Sequence, residues 1–204
     1  MAIAIKTPFN ILCVGDSLTT GSPSLKPYAL KLKQKLEEAF PTWDVDCDVQ
    51  GKEGDQVTQG GFDKRIQTSW AVSDRPFDWT IVLGGSNDLT WNKNAPDIIE
   101  ALQQAWDVAL SEGGKVLALT VPEYRAKVQK ICDRRQDVNK AILTYSLPNF
   151  YKFDLFEALP YHSMEEADRA RYWDEDGVHL TADGYDLMGE KVAEALIQII
   201  NTYP

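Results

Sequence analysis

The sequence predicts an α/β fold in which a mainly parallel sheet is covered by helices on both faces. Two patterns carry this expectation. Short apolar runs of strand length alternate with longer segments whose apolar residues recur at helical spacing. Each strand candidate is also separated from the next by a helix candidate, the connection that parallel neighbours require. With 204 residues, 44% of them hydrophobic and 25% charged, the chain reads as one globular domain over residues 1–204.

The first strand candidate is Phe9–Gly15, and Tyr28–Phe40 follows as a helix with Ala29, Leu32, Leu36 and Ala39 on one face. Trp43–Val49 alternates as a strand does, and a helix is expected somewhere within Gln56–Trp70. Trp79–Gly84 is a short apolar run ending in glycine. Pro96–Ser111 is helical, with Pro96 suited to the first turn, Ile99, Leu102, Trp106 and Ala109 facing inward, and Gly113-Gly114 stopping it. Lys115–Val121 is the fourth strand, Lys130–Ser146 the next helix, and Asn149–Leu155 a fifth strand. The last helix begins near Thr181, which suits an N-cap, and buries Tyr185, Met188, Val192, Leu196 and Ile199. The one long irregular stretch is Glu157–Val178, with one helical turn expected around Glu165–Arg171. A connection of that length in a compact fold is often functional.

A net charge of −10 argues against nucleic-acid phosphates and anionic membrane surfaces as partners. No apolar stretch is long enough to span a bilayer. Met1–Lys6 is too short for a signal-peptide core and is expected to run straight into the first strand, so a cytoplasmic protein is expected. The three cysteines, Cys13, Cys47 and Cys132, have neither metal-ligand spacing nor an even count for disulfides, which reads as reduced thiols.

Ser17 is the residue with most chemical content. It stands in Gly15-Asp16-Ser17-Leu18, at the end of a buried strand and ahead of a helix, on the edge where α/β folds bind ligands. A serine hydroxyl needs a neighbouring base before it can act as a nucleophile. The chain has two histidines, His162 and His179, and only His179 has an acid, Asp176, three residues before it. A turn there lets the carboxylate meet the ring Nδ1–H and fix the tautomer. Donors for a tetrahedral oxyanion are also at hand: the Ser17 N–H, the Gly54 N–H and the Asn87 side-chain amide, each after its own strand candidate and so on one sheet edge. Singly these are ordinary turn and cap residues. Together they point to ester hydrolysis by an acyl-enzyme route.

On these residues the chain resembles the SGNH, or GDSL, hydrolases. Gly15-Asp16-Ser17-Leu18 matches the first block of that family, and Gly85-Ser86-Asn87-Asp88 fits the Gly-x-Asn-Asp of the third. Asp176-Gly177-Val178-His179 fits the last block, and Thr181-Ala182-Asp183-Gly184-Tyr185 resembles the segment that often follows it. The resemblance implies a three-layer α/β/α sandwich of flavodoxin-like type with about five parallel strands. It implies Ser17 as nucleophile, His179 as base and Asp176 as its orienting acid. Gly54 and Asn87 would complete the oxyanion hole with Ser17, and neither metal nor cofactor is implied. The second block departs from the family, because Gln50 stands near where an asparagine is common. Gly51 and Gly54 are therefore alternatives, and Gly54 is favoured because Asp55 follows it.

The expected substrate is a small-molecule ester with a short acyl group, since the chain has no obvious lid insertion; the oligomeric state is left open. Trp91, Tyr124, Tyr172 and Trp173 are candidate pocket aromatics, with Tyr161 nearby. Arg134, Arg135 and Asn139 are expected to make solvated or structural contacts, and His162 to be a loop residue. The alternative is a flavodoxin-like phosphate- or flavin-binding module built on Asp16–Ser22, in which Trp91 and Tyr124 stack the ligand. That alternative leaves Asp176, His179 and Asn87 without a task.

Overall fold

The computed structural model describes residues 6–203; the expectation for Met1–Ile5 lies outside them. Five parallel strands form one sheet in the order β2-β1-β3-β4-β5, with β1 at Thr7–Gly15, β2 at Trp43–Gly51, β3 at Trp79–Leu83, β4 at Lys115–Leu119 and β5 at Phe150–Phe153. The chain runs outward from β1 to β2, then crosses back to β3 on the other side of β1. This reversal puts the topological switch point at the carboxyl end of β1, where such sheets open a crevice.

The alternation of side chains along each strand builds the two cores. In β1, Ile11 and Cys13 pack on one face, while Leu12 and Val14 pack on the other. The first face is covered by α2 (Tyr28–Ala39) and α9 (Ala182–Thr202), through Leu32, Leu36, Tyr185, Met188, Val192 and Leu196. The opposite face is covered by α3 (Phe62–Val72), α5 (Ala95–Ser111) and α6 (Gln129–Thr144), through Phe62, Ile66, Ile98, Leu102, Trp106, Val138 and Ile142. The result is the α/β/α layering that the sequence predicts. Short helices α1 (Ser17–Thr20), α4 (Ser86–Thr90) and α7 (Leu155–Ala158) follow β1, β3 and β5, and α8 (Glu166–Tyr172) packs on α9.

Several boundaries move for local reasons. β1 starts two residues before the predicted Phe9, because Thr7 and Pro8 pair with Trp43 and Asp44 of β2. β4 stops at Leu119 rather than Val121. There the side chain of Asn139 takes the place of a strand neighbour: its Oδ1 accepts from Val121 N at 2.8 Å and its Nδ2 donates to Val121 O at 2.9 Å. The segment before α3 is a 3₁₀ turn over Val57–Gln59, so the helix expected within Gln56–Trp70 starts late, at Phe62. In α5 the Asn94 side chain caps Asp97 N, and Ile98 rather than Ile99 is the fully buried residue of the first turn. Thr181 caps α9 as predicted, with its hydroxyl accepting from Gly184 N at 3.1 Å.

Candidate active site

The strand ends deliver Ser17, Gly54 and Asn87 to one crevice. Ser17 opens α1, directly after the central strand β1. Asp16 caps that turn, its Oδ1 accepting from Leu18 N at 3.0 Å. Gly54 follows β2, and Asn87 lies on α4 after β3. A cavity of about 250 Å³ is lined by Ser17, Gly54, Asn87, Tyr124 and His179. Gly51 is placed differently: a side chain there would strike the backbone N of Thr20 at 2.5 Å, so Gly51 serves the packing of α1 on β2. Gly54, at φ 69°, has open space where a side chain would be.

His179 reaches the crevice from the opposite end of the chain. The loop that carries it is folded by the Asp176 carboxylate. Asp176 Oδ1 accepts from the backbone N–H of Val178 at 2.8 Å and of His179 at 2.9 Å. This leaves Oδ2 free to face the ring, 2.5 Å from His179 Nδ1, while His179 Nε2 lies 2.8 Å from Ser17 Oγ. The pairing assigns the tautomer: Nδ1–H donates to Asp176, and Nε2 accepts the serine hydroxyl. Partial burial pulls the Asp176 carboxyl upward, but the His179 ring and the two backbone N–H groups outweigh it and hold the group below the ordinary carboxylate range. The acid is therefore ionised at neutral pH and able to stabilise a histidinium beside it.

The loop is pinned from outside by Arg125, which the sequence reading did not single out. Its Nη1 donates to Glu175 O at 2.8 Å, its Nη2 to Asp176 O at 3.2 Å, and its backbone N to Gly177 O at 2.8 Å. Gly177 has φ 71°, and a side chain there would meet Arg125 Cβ at 2.5 Å. Leu180 bridges both Trp173 and Pro23, tying the loop to the segment after α1.

Three further polar residues hold the crevice in shape. Arg65 donates to the carbonyls of Gln50 at 3.2 Å and Gly15 at 2.9 Å, and it is paired with the buried Asp55, so the ends of β1 and β2 are fastened together. Asp88, fully buried, accepts from Val57 N at 2.9 Å, Thr58 N at 3.1 Å and the Thr58 hydroxyl at 2.7 Å, locking the turn after Gly54 to the Asn87 helix. The closing acid of Gly-x-Asn-Asp was the available signal for Asp88; Arg65 left only a charge beside the inward-facing Ile66. Asp16 is the third. Its burial pushes the carboxyl from 3.8 up to about 6, against the lowering effect of Leu18 N–H and His179.

The pocket aromatics separate. Tyr124 lines the cavity, its hydroxyl donates to Ser86 O at 3.1 Å, and burial pushes that phenol up to about 12. Trp91 is 69% exposed and outside the cavity wall. Trp173 is buried 5.1 Å from the Tyr161 ring with its indole N–H on Pro160 O, and Tyr172 packs against the α2–α9 core. Both thus stand in packing, away from Ser17. His162 is a loop residue whose Nε2 lies 2.9 Å from Tyr124 O. Arg134 bonds Lys93 O at 2.8 Å, and Arg135 and Asn139 are buried. The loop after β1 turns hydroxyls inward: Thr19 is fully buried and Thr20 Oγ1 donates to Ser17 O at 2.9 Å, which speaks against a phosphate cradle there.

Among the described residues, no group of three or more His, Cys, Asp or Glu side chains could hold a metal ion, and no helix is long and apolar enough to cross a membrane. The three cysteines are free thiols.

The fold is shared with solved structures. A member of the lipolytic protein G-D-S-L family from Veillonella parvula superposes with a TM-score of 0.72 at 22% identity, covering 91% of this chain and 97% of that one. A family 3 carbohydrate esterase from Clostridium thermocellum gives 0.73 at 18% identity, covering 95% and 99%. One from Talaromyces cellulolyticus gives 0.71 at 15%, covering 96% and 100%. No curated protein matches by sequence. The description of the GDSL-like lipase/acylhydrolase family does match, over residues 13–187, from the strand before Ser17 to the helix after His179; the chain belongs to that family.

Proposed function

We propose that this protein is a serine esterase that hydrolyses small carboxylic esters with short acyl groups. One observation carries the reading: the unbroken hydrogen-bonded line from Ser17 Oγ through His179 to Asp176, with steps of 2.8 and 2.5 Å. In this mechanism Ser17 Oγ attacks the carbonyl carbon as His179 Nε2 takes its proton. The Asp176 carboxylate stabilises the imidazolium that forms. The carbonyl oxygen becomes an oxyanion facing the Ser17 N–H, the Gly54 N–H and the Asn87 amide. Collapse expels the alcohol, which leaves with the proton held by His179. Water, deprotonated by the same nitrogen, then attacks the acyl-enzyme and releases the acid.

The size of the cavity supports short acyl groups. The cavity holds about 250 Å³, with Tyr124, Leu18 and Val178 in its wall. Ser22, Glu53 and Thr90 give the same cavity a polar side suited to a hydroxylated leaving group. The two structural neighbours named as carbohydrate esterases support the same direction.

The test is hydrolysis of p-nitrophenyl acetate, butyrate, octanoate and palmitate by the wild type and by Ser17→Ala. Activity that falls with chain length and vanishes in the variant is the expected result. Activity that rises toward palmitate contradicts the short-acyl reading, and activity that survives in Ser17→Ala contradicts the nucleophile.

A further inference from the structure

A second cavity, of about 530 Å³, lies between α6 and the turn from β5 into α7, on the far side of Tyr124 from Ser17. Its wall includes Arg135, Lys140, Leu143 and Phe156. Arg135 is the unusual member. Only 3% of it is exposed, yet no carboxylate pairs with it among the described residues. A guanidinium is always charged, and buried charges are ordinarily paired because desolvation is costly.

What surrounds Arg135 compensates its charge only weakly. Nη1 donates to Pro122 O at 3.0 Å, and Nη2 has the Cys132 sulfur at 3.6 Å. The guanidinium carbon sits 4.7 Å from the Tyr124 ring centre and 5.6 Å from that of Phe156. Two carboxylates also line the cavity, each with one oxygen engaged elsewhere and neither paired with Arg135. Glu123 Oε2 accepts from Tyr161 N at 2.7 Å and His162 N at 2.9 Å. Asp154 Oδ1 accepts from the Thr120 hydroxyl at 2.8 Å and Glu157 N at 3.3 Å. Lys140, one helical turn and a residue beyond Arg135 on α6, adds a second positive charge with no ion-pair partner among the described residues.

We propose that this cavity is a binding site for a small organic monocarboxylate, its charged end against Arg135 and Lys140 and its apolar body against Leu143 and Phe156. The presence of Glu123 and Asp154 selects a single negative charge over a multiply charged anion such as phosphate. A volume in the range of about 300–1,000 Å³ suits a small molecule. Tyr124 stands between the two cavities, with its ring on Arg135 and its hydroxyl on Ser86 O, next to Asn87.

The experiment is calorimetric titration of the protein with hexanoate, benzoate and inorganic phosphate, repeated on Lys140→Glu and Arg135→Gln. Lys140 is exposed, so its charge reversal leaves the fold unstrained even if Arg135→Gln destabilises it. Thermal melting of each variant records which ones fold. Hexanoate or benzoate binding that weakens about tenfold or more in Lys140→Glu supports the site. Running the series on Asn87→Ala as well, which lacks one of the donors proposed to face an acid beside Ser17, separates this site from any acid held there. Three results overturn the proposal: no carboxylate binding, carboxylate binding that both α6 variants leave unchanged, or phosphate binding as tightly as the carboxylates.

Discussion

The side-chain amide of Asn87 lies 3.3 Å from the Asp16 carboxylate, so the turn after β3 touches the turn that carries Ser17. The same nitrogen donates to Asp55 O at 3.0 Å. Both contacts fix the amide at the crevice, where the proposed mechanism uses it as an oxyanion donor. A donor oriented before the reaction begins needs no reorganisation when charge develops.

Asn87→Ala removes that donor. A loss of kcat of about 10²- to 10³-fold is expected, with KM little changed. Steady-state kinetics on p-nitrophenyl acetate decide it. A rise in KM at constant kcat would assign Asn87 to ground-state binding instead.

Asp16→Asn isolates a buried charge, because asparagine still caps the α1 turn. The Asp16 carboxyl is raised from 3.8 to about 6 by burial. Over that window the native protein binds more protons than the unfolded chain, so Asp16 contributes stability at acid pH that is lost as pH rises through about 6. The variant is expected to gain on the wild type between pH 4 and pH 7, by at most about 3 kcal/mol. Urea denaturation at several pH values measures the difference. A pH-independent gap would show that Asp16 titrates normally.

Asp176→Asn keeps the size of the side chain but removes its charge and its grip on one tautomer. The expected loss in kcat is on the order of 10³- to 10⁴-fold. Because Asp176 is 45% exposed, the melting temperature should hardly move. Loss of folding alongside activity would make the residue a structural one.

Arg125→Ala releases the carbonyls of Glu175 and Asp176 without touching Ser17 or His179. We expect kcat to fall about tenfold through misplacement of the His179 loop, with stability changed by less than about 0.5 kcal/mol. Unchanged kcat would show that the Asp176 turn holds the loop alone.

Much of this was legible because the sheet is buried on both faces. Its inner strands had to read as apolar runs while the edge strand β2 alternates, and three of the site residues followed from where these segments end. The Asp176–His179 pair was legible because three residues of separation suffice for one turn to close. What lay hidden depends on contacts between distant segments. Val121 reads as strand, and only the fold shows Asn139 substituting for its neighbour. Trp173 reads as a loop aromatic facing a pocket, until Leu180 and Tyr161 are brought against it. Arg65 and Arg125 reveal themselves only by the backbone carbonyls they reach, which no local pattern encodes.

The most direct measurement is intact-mass analysis after treatment with a fluorophosphonate, with peptide mapping, on the wild type and Ser17→Ala. A single adduct located on Ser17 in the wild type and absent from the variant is the result expected of a nucleophile activated by His179 and Asp176. An unlabelled wild type, or an adduct that persists in Ser17→Ala, would contradict it.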